Sequence, residues 1–196
     1  TEYLRPNAST LKNYQEYLIA IDVFYAKAKF ALKIDGVMPL LTKKRKLFLK
    51  DAYHPLLLLT NKKRKEKTFP QTISLQEDNR IIVISGPNAG GKSITLKTVG
   101  LLQLMLQSGI LVPLDPQIEF CFFEKILTDI GDNQSIENQL STYSYRLKKM
   151  NQFLKKCKEN SLFLIDEVWH LKSFQLHLCQ HQVILLFVEL LLFLFL

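Results

Sequence analysis

The octapeptide Gly86-Pro87-Asn88-Ala89-Gly90-Gly91-Lys92-Ser93 constrains this chain more than any other stretch. It lies between an apolar β-branched run, Arg80 to Ser85, and a helical segment from about Lys92 to Gln107. It satisfies the pattern GxxxxGK[ST] in full, and the spacing has a physical reason. Glycines let a loop fold into a nest of N–H groups facing a phosphate, at the positive end of the helix that follows. Lys92 then reaches the β- and γ-phosphates of a bound ATP, and the Ser93 hydroxyl ligates Mg²⁺. With Ile94 these residues form the expected cofactor-binding set. The bland alternative is a Gly-rich turn before a surface lysine, and a chance match in a chain of this size is on the order of one percent.

A partner motif strengthens the reading. Ser161 to Asp166 (SLFLID) is a buried strand by composition, and Glu167 follows it. A strand ending in two acids puts both at the carboxyl edge of a sheet, where ligands bind in open α/β folds. There Asp166 holds Mg²⁺ through water and Glu167 polarises the attacking water. Between the motifs lie a strand candidate, Phe120 to Ile130, and a helix from about Ile136 to Lys158; Ile73 to Leu75 is a further strand. Strands alternating with helices imply a parallel-rich α/β sheet. The expected fold is therefore a P-loop NTPase, with Glu167 and Lys92 as the catalytic residues.

Before the sheet, residues 9–35 read as a long helix. Leu11, Tyr14, Leu18, Ile21, Tyr25, Ala28 and Leu32 recur at alternating steps of three and four, a heptad seam that packs on another helix or arm. An ordinary amphipathic core helix fits equally well. The charge is also lopsided: residues 1–80 hold 16 basic and 8 acidic side chains, while 81–196 hold 10 of each. Two basic runs, Lys43 to Lys46 and Lys62 to Lys67, flank Leu56 to Leu59, which reads as a short buried strand. Basic runs can track nucleic-acid phosphates. Without aromatic interleaving a solvated loop is the preferred reading. Cys121, Cys157 and Cys179 form no CxxC pair, which excludes a disulfide framework and suits a reducing cytoplasmic setting. Thr1-Glu2-Tyr3 begins no apolar signal core, so the N-terminus reads as a fragment edge.

From about Asp51 to Glu167 the chain closely resembles the ATPase domain of the MutS family. The resemblance rests on ISGPNAGGKSITLKTVGLLQLMLQSGILVP (Ile84 to Pro113) and LTDIGDNQSIENQLSTYSYRL (Leu127 to Leu147). IGDNQSIENQLSTYS points to the MutS-two branch rather than the mismatch-reading one. The resemblance implies an ABC-type ATPase acting as a homodimer, with each nucleotide held between one P-loop and the partner's serine-threonine segment. Ser141 and Thr142 occupy that segment; from sequence alone Ser141 is only an N-cap candidate. Phe69 lies where the family places an aromatic near adenine, although a core phenylalanine is the simpler reading. Tyr53-His54-Pro55 resembles the element that opens the family's ATPase domain. By the same resemblance the parent couples ATP turnover to gripping branched DNA, and members are linked to stalled ribosomes. The segments expected are an arm and connector (1–46), an incomplete ATPase domain (47–167) and a tail (168–196). The alternative is a nucleotide-binding and dimerisation fragment that does not hydrolyse ATP.

The resemblance ends after Glu167. Of the 29 residues that follow, ten are Leu and four Phe, only Lys172 and Glu189 are charged, and no glycine occurs after Gly131. The tail reads as a frameshifted end, which leaves the C-terminal part of the sheet missing and strand 161–166 partly unpaired. Within it His177 and His181 stand at i, i+4, but no third ligand accompanies them for zinc. Val183 to Leu196 is 14 residues interrupted by Glu189, too short for a bilayer span.

Overall fold

The computed structural model describes residues 8–44, 46–76, 78–86, 91–130, 148–153, 155–156, 160–166 and 184–189. Three helices and eight strands follow one another: α1 (Ala8–Lys33), β1 (Leu40–Leu41), β2 (Leu47–Ala52), α2 (Pro55–Arg64), β3 (Gln71–Leu75), β4 (Ile81–Ser85), α3 (Lys92–Gln107), β5 (Glu119–Phe120), β6 (Lys125–Asp129), β7 (Ser161–Asp166) and β8 (Ile184–Glu189). The architecture is mixed α/β, with two four-stranded sheets ordered β1-β5-β2-β3 and β4-β8-β7-β6. The second is parallel throughout, so its sequential strands are joined by crossovers rather than hairpins. Residues 148–153 and 155–156 are helical, inside the helix expected over 136–158.

α3 packs on β7 and β8. Its face of Leu96, Val99, Leu102 and Leu106 is buried at the helical spacing of three and four. That face joins Leu162 and Leu164 of β7, and through Leu114, Ile118 and Phe120 it reaches Leu47, Leu49, Ile73 and Leu75 of the first sheet. One apolar cluster therefore ties both sheets to α3. Ile34, fully buried, and Val37, which bridges Val112, bring the chain after α1 into the same body.

Three sequence expectations need correction. Leu56 to Leu59 are not a strand but the first turns of α2. His54 caps this helix, its Nδ1 accepting from the Leu57 N–H at 3.4 Å, and Pro55 occupies the first turn, where a missing N–H costs nothing. Four leucines carry no period, so the cap decides. The 120–130 strand is two strands, β5 and β6, with a crossing at 121–124 between the sheets. The third correction concerns strand 161–166, which is not left partly unpaired. Residues 184–189 of the tail form β8 between β4 and β7, so β7 is paired on both edges. An apolar run such as ILLFV suits a strand flanked on both sides, because the ladders satisfy the backbone groups that would otherwise form an open edge.

α1 has the expected length but not an expected partner. Leu11, Tyr14, Leu18, Ile21, Tyr25 and Leu32 are 49–81% exposed, so the seam packs on nothing among the described residues. Only its end is held, through buried Ala31 and by Lys27 Nζ donating to the Ser108 carbonyl at 2.6 Å.

Candidate active site

β4 ends at Ser85 and α3 starts at Lys92, so the octapeptide joins a strand to a helix. Residues 87–90 lie outside the described residues. Both flanking glycines have positive φ, 149° at Gly86 and 78° at Gly91, where a side chain would be strained. Gly91 occupies the N-cap position in the left-handed conformation; among the described residues no side chain caps α3, and its first turn holds no acid. A helix start left without a carboxylate or hydroxyl partner offers its N–H groups to an anion.

Lys92 is the informative residue. It is only 6% exposed although charged, and its Nζ donates to the Gly86 carbonyl across the mouth of the turn. Burying an ammonium is costly unless it is hydrogen-bonded, so this placement is specific. Ser93 and Ile94 follow in the first turn, half-buried. The Thr95 and Thr98 hydroxyls bond back to the Gly91 and Ile94 carbonyls at 3.1 and 2.7 Å and hold the turn in shape.

Asp166 ends β7 at the same carboxyl edge and is half-buried. β8 separates it from the β4–α3 turn by two strand spacings, about 9–10 Å. In register, Ser85 pairs with Glu189 and Asp166 with Val188, so Glu189 stands one residue beyond Asp166 at this carboxyl edge. Asp129 ends β6 on that edge, bonded to Lys149 Nζ at 2.6 Å. Nothing in the sequence patterns pointed to Glu189 or Asp129; strand order alone brings them here.

The residues present fit a Mg²⁺-bound triphosphate. A helix start without an acid, a buried cation beside it and a carboxylate two strands away on the same sheet edge are the donor set such a group needs. Among the described residues no group of three or more His, Cys, Asp or Glu lies close enough to hold a metal ion by itself.

Glu167, Ser141 and Thr142 lie outside the described residues, as do His177 and His181. Phe69 is 73% exposed with Lys67 Nζ 5.3 Å from its ring centroid, so the core-phenylalanine reading is corrected. Its exposure follows from its place between α2 and β3, outside either apolar face. A cleft of about 460 Å³ is lined by Ile34, Asp35, Tyr53, Lys62 and Thr68 among others, and includes none of the described residues Gly86 and 91–94.

Sequence reasoning also missed a set of amides behind the site. Gln103, 1% exposed, donates from Nε2 to the Cys121 carbonyl at 3.0 Å and to Gln107 Oε1 at 2.8 Å. Gln107 accepts from the Phe123 N–H and donates to the Phe123 carbonyl, each at 3.0 Å. Asn160 Nδ2 donates to the Phe122 carbonyl at 2.6 Å. Side chains from α3 and from the residue before β7 thus hold the 121–124 crossing. Two glutamines at i, i+4 in an otherwise apolar helix were the available signal.

Residues 82–174 match the family MutS domain V, and the match runs seven residues beyond Glu167, where the sequence resemblance was expected to end. The chain is 46% identical over 154 residues to Endonuclease MutS2 of Finegoldia magna, covering 79% of this chain and 19% of that protein. It is 42% identical over 164 residues to Endonuclease MutS2 of Lactobacillus acidophilus, 84% of this chain and 20% of that one. For Endonuclease MutS2 of Alkaliphilus metalliredigens the figures are 40% over 167 residues, 85% and 20%. The chain spans about one fifth of the length of these relatives. Over some four fifths of its own length, then, this chain is similar to one part of the MutS2 endonucleases, and its residues 82–174 carry the pattern of MutS domain V.

Proposed function

We propose that this chain is the P-loop ATPase region of a MutS2-branch protein, binding Mg²⁺-ATP at the β4–α3 turn. The observation that carries the reading is buried Lys92, held across the turn by the Gly86 carbonyl beside a helix start that has no capping side chain. Residues 47–167 are then the ATPase domain, and 1–46 its connecting arm.

Bound Mg²⁺-ATP supplies a metal-polarised γ-phosphoryl group as the electrophile. Every other role belongs to the chain. Lys92 exchanges its contact with the Gly86 carbonyl for phosphate oxygens, a charge-assisted hydrogen bond stronger than one to a neutral carbonyl. Gly86 and Asn88 to Gly91 are the residues expected to offer backbone N–H groups, Pro87 having none. Ser93 and Asp166 are the oxygen ligands expected to hold Mg²⁺. Glu167 takes a proton from the attacking water. Phe69 offers an exposed face for adenine, and Ser141 with Thr142 completes the site of a second copy in a homodimer. By this reading the parent protein couples turnover to holding DNA, and the ribosome is a further partner of the same class of protein.

Binding of a fluorescent ATP analogue and steady-state phosphate release test the reading together. Glu167→Gln should retain binding while turnover falls by about 10²-fold or more. Lys92→Ala should lose binding. Binding without turnover in the wild type would leave a non-hydrolysing dimerisation module, and no binding at all would remove the P-loop assignment.

A further inference from the structure

The basic run at 62–67 is not a floppy loop. Lys62, Lys63 and Arg64 form the last turn of α2, and Lys65 caps it in the left-handed conformation at φ 57°. The Lys65 N–H donates to the Lys62 carbonyl and the Glu66 N–H to the Asn61 carbonyl, at 3.4 and 2.9 Å. Asn61 Nδ2 donates to Thr68 Oγ1 at 3.1 Å and closes the turn. The backbone that carries these cations is therefore fixed before any partner arrives.

Five cations, Lys62, Lys63, Arg64, Lys65 and Lys67, stand here, all exposed, against two acids, Asp35 and Glu66, which leaves a local charge of +3. Lys62 is 3.5 Å from Asp35, and Lys67 lies over Phe69. Among the described residues no carboxylate pairs with Lys63, Arg64 or Lys65. The carbonyl end of a helix is worth about half a negative charge. That offsets about half of one cation and leaves the rest repelling one another. The other basic run cannot share the load. Leu47 pairs with Leu75 and Ala52 with Gln71, so Lys43 to Lys46 precede the opposite end of the β2–β3 pair.

We propose that the C-terminal end of α2 is a docking surface for the phosphate backbone of duplex DNA. Charge density selects the duplex. Lys62, Lys63 and Arg64 with the capping Lys65 put four cations within about one helical turn, about 5.4 Å, and duplex DNA presents a charge every 1.7 Å or so, about three over that length. A single strand carries half that density. The surface needs no nucleotide, so it stands or falls apart from the ATPase reading.

The test is fluorescence anisotropy of the full chain with a labelled duplex of about 24 base pairs, from about 50 to 200 mM salt, without ATP. The wild type should bind with a log–log salt slope of about −4. Lys63→Gln/Arg64→Gln/Lys65→Gln should lower the slope by about 3 units, and Lys63→Gln alone by about 1. Lys43→Gln/Lys44→Gln should leave it unchanged. An unaltered slope in the single variant overturns the proposal, which keeps it testable should the triple variant not fold. So does an equal fall in the 43/44 control, which would assign binding to overall charge. Tighter binding of a single strand or of duplex RNA overturns the choice of partner.

Discussion

Gly100 shows how closely α3 approaches the sheet. A Cβ there would lie 2.7 Å from Leu164 Cδ1, and Leu164 is fully buried. Helix propensity alone favours alanine by about 1 kcal/mol. Overpacking a closed core costs about 1–3 kcal/mol, so Gly100→Ala should lower stability by a net ~1 kcal/mol. Urea unfolding reads this as a lower midpoint at unchanged slope. The close approach matters for function because α3 carries Lys92 and β7 carries Asp166, and spreading them changes the spacing of the site. Lys92 itself was legible from its motif. Its burial and its carbonyl partner were not, since both depend on how Gly86 and α3 meet.

Helix α2 depends on a titratable cap. Burial and the nearby Lys97 charge hold His54 below its ordinary value of 6.5. A neutral Nδ1 accepts from the Leu57 N–H; a protonated one cannot. With the folded pKa depressed, the unfolded chain binds the proton more readily, so stability rises with pH across this window. The contribution is complete above about 6.5 and lost as pH falls below it. Urea midpoints measured at about pH 5.5 and 7.5 should differ for the wild type, and His54→Asn should flatten the difference while keeping a cap. The amides behind the site make a second prediction at this scale. Gln107→Leu leaves the Phe123 N–H and carbonyl without their side-chain partner, and each such buried group costs about 1–3 kcal/mol. We expect a loss of at least ~2 kcal/mol, with faster hydrogen exchange at the Phe123 amide. Exchange unchanged there would show that Gln107 does not hold the crossing. Helix α1 could be read from its apolar period and α3 from the glycine-rich motif that precedes it. α2 could not, because four leucines in a row fit a helix and a strand alike until the cap chooses.

At the scale of the molecule, the proposed ATP sandwich makes an oligomeric prediction. Light scattering should show the mass doubling when Mg²⁺-ATP is added, and Lys92→Ala should stay monomeric. A wild type that remains monomeric with ATP bound would remove the trans role of Ser141 and Thr142. The exposed seam of α1 is independent of nucleotide, so association through it would appear without ATP and persist in Lys92→Ala. The amino-acid sequence by itself determined the strand–turn–helix around 86–93, the strand ending in Asp166 and the likeness to one family, because these are local: a glycine pattern, an apolar run and a cap lie within a few residues of one another. Only the tertiary structure decided that six residues of the apolar tail stand between β4 and β7, that Glu189 and Asp129 share the edge with Asp166, and that glutamines of α3 hold the crossing between sheets. Strand order and register depend on which backbone groups find partners far along the chain, and no local pattern encodes that choice.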